Sequence, residues 1–252
     1  MFKWIINSLA SKFIAGETIE EVINKTKELN KRGFSVTINL LDLPVLYCIL
    51  IKKIHNENLD ANISIKLSKF KDVDNVFKLA CIAERYNVFM WIDMEEEDSI
   101  DGTLKIYKIL YKKHDVGVAL QTSLDRTVED IKDLPRNSNI RLCKGAYYRP
   151  FFKNEVQMFN ECLAQSFLKL HNIFCATHDD IIIDNTAISY KGFNKEFQWL
   201  YGVRMNKAQE LLDDGYKVRL YLPCGKDWYK YCLRRFRENP FVILPILAKS
   251  IL

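Results

Sequence analysis

Glycine is scarce in this chain: nine residues among 252, about half the usual share. The closest pairs, Gly192/Gly202 and Gly215/Gly225, stand ten apart. Neither the G-x-G-x-x-G fingerprint of a Rossmann unit nor a phosphate-cradling P-loop can be written with that spacing. No two of the four histidines are close enough for an H-E-x-x-H zinc site. The seven cysteines (Cys48, Cys81, Cys143, Cys162, Cys175, Cys224 and Cys232) form no C-x-x-C pair. Most lie in apolar runs and read as small core residues, with thiols kept reduced in a cytosolic compartment. A G-x-S-x-G nucleophile elbow is also missing, and no metal site is expected. The longest uncharged apolar run, Leu43–Ile51, is far short of the roughly 20 residues of a spanning helix. The opening MFKWIINSLASKF lacks a signal-peptide core and cleavage site, and reads as a helix capping the domain. Lys+Arg 37 against Asp+Glu 32 leaves a net charge of +5 without a dense basic stripe, so no nucleic-acid partner is expected.

What the chain does have is alternation. Strand-length runs rich in β-branched and aromatic residues recur at Phe34–Leu40, Asn62–Leu67, Val88–Met94, Val116–Gln121, Asn139–Lys144, Ile173–Thr177, Glu196–Leu200 and Lys217–Leu222. Between them apolar residues take helical spacing. Val73, Val76, Phe77, Ala80 and Ala83 make one face in Asp72–Tyr86; Ile19, Val22, Ile23, Thr26 and Leu29 make another in Glu17–Arg32. Eight βα units in about 250 residues, joined by right-handed crossovers, predict an α/β fold of the (βα)8 TIM-barrel type. With no linker visible, residues 1–252 read as one domain. Residues 1–32 form a helical N-terminal segment, residues 33–252 the barrel, and a C-terminal helix lies over the mouth.

The strand ends carry polar residues: Lys66, Asp93, Gln121, Lys144, the pair Thr177-His178, Gln198 and Tyr221. In a parallel barrel these ends ring the face where active sites sit. Any one of them could be a loop or capping residue, and Thr177 or the neighbouring Asp179 could simply cap the next helix; the set of seven favours a site. Asp93, with apolar neighbours on both sides, wants a cationic partner, and Lys66 on the adjacent strand is within reach. Alternation puts Arg141 and Cys143 on one face of their strand and Leu142 and Lys144 on the other, while Gly145 and Ala146 would let the backbone approach a flat ligand. Tyr231, Arg234, Arg235 and Glu238 share one helical face. Two adjacent guanidinium groups there can grip a carboxylate. The same face can also be solvated, with Glu238 paired to Arg234.

RLCKGAY at 141–147 resembles the R-L-V-K-G-A-Y signature of the FAD-dependent proline dehydrogenases. The likeness runs through FIAGET (13–18), ISIKLS (63–68), WIDME (91–95), ALQTS (119–123), CATHD (175–179), EFQWLYGVR (196–204), VRLYLP (218–223) and YCLRRFRENP (231–240). The resemblance implies a (βα)8 barrel with non-covalent FAD at its C-terminal face. It implies oxidation of L-proline to Δ1-pyrroline-5-carboxylate by hydride transfer to flavin N5. Electrons then pass to a membrane quinone, from a cytoplasmic protein with a peripheral contact on the inner face of the membrane. It further implies that Arg234 and Arg235 clamp the substrate carboxylate, buttressed by Glu238. Lys66 and Asp93 form the charged pair under the substrate, and Tyr221 and Tyr231 are its aromatic walls. Arg141 stands near flavin N5 and is, with Asp93, the residue expected to act in the chemistry. Met94, Gln121, Lys144, Gly145, Ala146, Thr177, His178 and Gln198 hold the flavin and its phosphates.

Departures accompany the match. The family's D-L-L-G-E after the first strand reads Asn39-Leu40-Leu41-Asp42-Leu43 here, so the place of its gating glutamate holds Leu43. Cys224 stands where an aromatic is usual, and Gln121-Thr122-Ser123-Leu124 lacks a frequent tyrosine. Two other readings therefore stand beside the first: a flavin- or proline-binding barrel without turnover, and a flavoenzyme oxidising hydroxyproline. The intact charged set Lys66, Asp93, Arg141, Arg234 and Arg235 favours turnover.

Overall fold

The computed structural model of the protein describes residues 13–41, 44–145, 155–169, 171–189 and 196–228. Within them eight parallel strands close into a barrel in chain order. They are β1 (Ser35–Leu40), β2 (Ala61–Ile65), β3 (Met90–Ile92), β4 (Val116–Gln121), β5 (Asn139–Cys143), β6 (Asn172–Ala176), β7 (Glu196–Leu200) and β8 (Lys217–Cys224). Helix α1 (Ile19–Lys31) precedes β1. One helix then lies between each successive pair of strands: α2 (Leu46–Asn56), α3 (Val73–Arg85), α4 (Ile100–Tyr111), α5 (Thr127–Asp133), α6 (Glu155–Leu168), α7 (Asp180–Ser189) and α8 (Met205–Asp213). The barrel expected from the alternation is the barrel observed. The expected C-terminal helix lies from residue 229 onward outside the described residues, as do residues 1–12 of the opening segment.

Strand parity sorts the side chains. Val36, Ile38, Ile63, Ile65, Ile92, Val118, Ile140, Leu142, Leu220 and Leu222 are fully buried and belong to the apolar core between the strands and the helices. The opposite parity is largely polar: Thr37, Asn62, Ser64, Arg141, Glu196, Gln198 and Arg219. These residues reach one another across the barrel axis, as when Arg141 on β5 bonds Ser64 on β2 and Gln198 on β7. Most of the apolar core thus lies outside the barrel wall, and the lumen, packed around Trp91 and Phe174, carries the polar side chains.

Helix α1 starts as its sequence dictates. Thr18 caps it and Glu21 closes a capping box, its carboxylate accepting from the backbone N–H of Thr18 at 3.0 Å and of Glu17 at 2.7 Å. Gly16 permits this at φ +139°, since a Cβ there would fall 2.6 Å from Glu21. The segment before α1 is tied to the mouth end of β8 by Ala15 N to Pro223 O at 2.9 Å and Gly225 N to Gly16 O at 3.0 Å. In α3 the buried face is Val76, Leu79, Ala80 and Ala83. Val73, expected on it, is 44% exposed because it sits in the first turn, before the helix reaches the sheet. Of the cysteines, Cys162, Cys175 and Cys224 are buried as expected; Cys81 is exposed, on the outer face of α3. Among the described residues no helix is long and apolar enough to cross a membrane.

Candidate active site

Asp93 organises the C-terminal end of the lumen. It follows β3 directly, its backbone N–H bonded to Ile65 O on β2 at 2.9 Å, which carries the carboxylate over the barrel axis. Oδ1 accepts from Ser64 Oγ at 2.6 Å and Arg141 Nη1 at 2.7 Å; Oδ2 accepts from Lys66 Nζ at 2.9 Å and Tyr221 Oη at 2.7 Å. Four donors, three on strands β2, β5 and β8 and Lys66 just past β2, therefore saturate one carboxylate. Burial alone would raise the Asp93 pKa, but Lys66, Arg141 and the Ser64 hydroxyl outweigh it and hold the carboxyl down at about 2. Two cations against one anion leave the cluster with a net positive charge, suited to an anionic substrate group.

Arg141 is the most constrained member. Its guanidinium lies 4.5 Å from the Trp91 ring centroid and 5.7 Å from that of Tyr221. Nε donates to Gln198 Oε1 at 2.5 Å, and Nη1 also to Ser64 Oγ at 3.1 Å. Nη2, although buried, has no hydrogen-bond partner among the described residues. A buried guanidinium edge left open costs free energy unless something polar meets it, so it marks a place for a ligand acceptor.

Around this centre the remaining expected residues fall into two groups. Gln121 donates from Nε2 to Glu95 O at 2.9 Å, at the end of β4. Half-buried Ser123, on the same loop, leaves its buried Oγ without a partner among the described residues. Gly145 packs on this loop at φ +115°, where a Cβ would fall 2.4 Å from Ser123 Oγ and 2.9 Å from Gln121 Oε1. The barrel's own loops thus call for a glycine here, independently of the ligand contact expected from the sequence. On the other side Lys144 binds Asp179 at 2.7 Å and Glu155 at 2.9 Å. Burial lowers its pKa, but the two carboxylates outweigh that and raise it. Asp179 also caps α7, accepting from Ile181 N at 3.0 Å and Ile182 N at 3.3 Å, so its capping role is real and is combined with holding Lys144. Thr177 is buried and its Oγ1 accepts from Asp179 N at 3.1 Å. His178 Nε2 accepts from Leu200 N at 3.3 Å, which puts the proton of the neutral imidazole on Nδ1. Met94 is half-buried beside Asp93.

Lys66, Asp93, Arg141, Gln198 and Tyr221 thus form one connected cluster, with Gln121, Lys144, Gly145, Thr177 and His178 on the loops beside it. Ala146, Tyr231, Arg234, Arg235 and Glu238 lie outside the described residues, as do Asp42 and Leu43. Sequence reasoning passed over Ser64, Trp91 and Ser123. Ser64 was detectable: it shares inward parity with Lys66 in a strand whose other parity is isoleucine. Among the described residues no group of three His, Cys, Asp or Glu side chains could hold a metal ion.

A proline dehydrogenase family model matches residues 15–158, more than half of the chain. Proline dehydrogenase 2 of Bacillus subtilis (strain 168) is 34% identical over 270 residues, covering 94% of this chain and 88% of the relative. The proline dehydrogenase of Deinococcus radiodurans is also 34% identical, over 92% of this chain and 87% of its own. The chain belongs to the proline dehydrogenase family. With the family comes the enzyme class, an oxidoreductase. The fold agrees: the chain superposes on proline utilization A (PutA) from Bdellovibrio bacteriovorus inactivated by N-propargylglycine with a TM-score of 0.81 at 20% identity. That match covers 93% of this chain and 33% of the PutA chain, so the chain spans about a third of the larger protein. Asp93, Lys66 and Arg141 therefore converge in a member of a proline dehydrogenase family.

Proposed function

We propose that the protein oxidises L-proline to Δ1-pyrroline-5-carboxylate, the first step of proline catabolism, with FAD bound non-covalently at the barrel mouth and a quinone as the final acceptor. The observation that carries the reading is the saturated, fully charged Asp93 cluster at the C-terminal end of the lumen, with Arg141 Nη2 left open beside it. Bound there, FAD supplies the hydride acceptor that no side chain can provide. Arg141 Nη2 and Ser123 Oγ are the buried polar atoms that a flavin's acceptors and donors would satisfy. On this reading Lys144 and Thr177, just past the ends of β5 and β6, would meet its phosphates. The net positive field of Lys66 and Arg141 favours a carboxylate substrate. It also disfavours a protonated amine beside it, which helps proline reach the neutral form that can lose hydride. Asp93 holds both cations and the Tyr221 ring in one geometry, so the substrate meets a wall already oriented. The proline-clamp role of Arg234 and Arg235 belongs to this reading as well.

The test is anaerobic addition of L-proline to the FAD-loaded protein. The account expects the visible flavin band to bleach. A band that persists while a carboxylate competitor of proline still binds would establish the non-turnover reading.

A further inference from the structure

Below the Asp93 cluster the lumen holds a second charged pair that none of the roles above uses. Glu196 at the start of β7 is 8% exposed and accepts from Arg219 Nε at 2.8 Å and Nη2 at 3.2 Å. Arg219, on β8, is fixed from a third side by Val36 O at 2.9 Å. A buried pair of this kind contributes little net stability compared with apolar side chains of the same volume. Its place in the network gives it a different use. Gln198 stands between it and Arg141: Oε1 accepts from Arg141 Nε at 2.5 Å while Nε2 donates to Glu196 Oε1 at 2.9 Å. The opposite amide orientation would set Nε2 against the Arg141 N–H, donor on donor, and Oε1 against the Glu196 carboxylate, acceptor on acceptor. Arg141, which only donates, already sets which end of the Gln198 amide faces it; the Glu196 carboxylate grips the other end and so fixes where the acceptor for Arg141 stands.

We propose that Glu196, anchored by Arg219, is a positioning residue for Arg141, acting through the amide of Gln198. The line Arg219–Glu196–Gln198–Arg141–Asp93 crosses the lumen from β8 to β3 through alternating donors and acceptors. It fixes the plane of the guanidinium, and with it the direction of the open Nη2. The inference rests on the proposed flavin reading for its catalytic consequence, but the positioning itself holds in the flavin-free protein.

The test compares Glu196→Gln with the double variant Glu196→Gln/Gln198→Glu. The single change replaces the charged acceptor by a neutral amide and loosens the hold on Gln198 Nε2, while Arg141 still sets which end of that amide faces it. The double change restores the pattern, with the carboxylate at 198 accepting from both Arg141 and the amide at 196. In flavin-free protein, 15N NMR of the Arg141 Nε–H, assigned with Arg141→Lys, should show about tenfold faster proton exchange in the single variant and near wild-type exchange in the double. In the FAD-loaded protein the single variant should lose about tenfold in kcat with KM for proline within about twofold. The faster exchange and the loss of kcat should both reverse in the double variant. A purely structural role would lower the melting temperature and leave the exchange rate and the split between kcat and KM alone. Should Glu196→Gln fail to fold, Gln198→Met cuts the same link with the Glu196–Arg219 pair intact and carries the same expectations. Wild-type exchange in the single variant, or a double variant no better than the single, would overturn the proposal. If wild-type flavin is not reduced by proline, the proposed function fails, while the exchange measurement still judges the positioning.

Discussion

At 7% exposure Asp93 would be driven toward its neutral form, yet Lys66, Arg141 and Ser64 hold its carboxyl at about 2 against an ordinary value of 3.8. A pKa depressed in the folded state means that the unfolded chain binds the proton more tightly. The stabilisation is therefore complete above the ordinary carboxylate value and is lost as pH falls from 3.8 toward 2. Asp93→Asn leaves two buried cations facing a neutral amide, and should cost about 3 kcal/mol near neutrality. Urea unfolding of both proteins checks this: the gap in midpoint should be large at about pH 6 and clearly smaller at about pH 3. A gap that is absent near neutrality, or that does not change with pH, would show that the cations do not depend on this carboxylate. The same residue ties stability to chemistry, because two of the donors it accepts from, Lys66 and Tyr221, line the proposed substrate wall.

At the scale of the elements, the lumen's polar parity is set by adjacent strands in register. Trp91 on β3 is paired with Gly117 on β4, and a Cβ at Gly117 would fall 2.4 Å from the indole ring. The missing side chain on β4 is the space in which Trp91 lies flat beneath Arg141. Gly117→Ala should thus cost 1–3 kcal/mol by overpacking and displace the ring under the guanidinium. A thermal melt with no loss of stability would contradict that packing. Much of this level was legible in the sequence. β4 and β7 fall on the expected residues, and Asp93 with Lys66 was expected as a pair from apolar neighbours and strand order alone. Other features were not legible. Gly145 read as room for a ligand because the loop of Ser123, which it meets, is adjacent only in space. The Glu196–Arg219 pair went unread because Glu196 opens its strand, where a charge looks like a loop residue. Val88–Met94 was read as longer than β3, since apolar composition does not reveal that only Met90–Ile92 find partners on both sides.

On the scale of the whole molecule, a closed parallel barrel keeps its apolar core outside the wall, so the lumen can bear a line of buried charges without losing the hydrophobic stabilisation that folds it. That line ends at the mouth in one unsatisfied direction, the Nη2 of Arg141. Family membership gives the enzyme class, and the lumen geometry points to this end of the barrel. The most direct measurement of the account is a diffraction structure of the FAD-loaded protein. The account predicts the isoalloxazine across the barrel mouth, with one of its acceptor atoms at about 3 Å from Arg141 Nη2. A flavin ring in another hollow, with that nitrogen facing solvent or protein only, would contradict it.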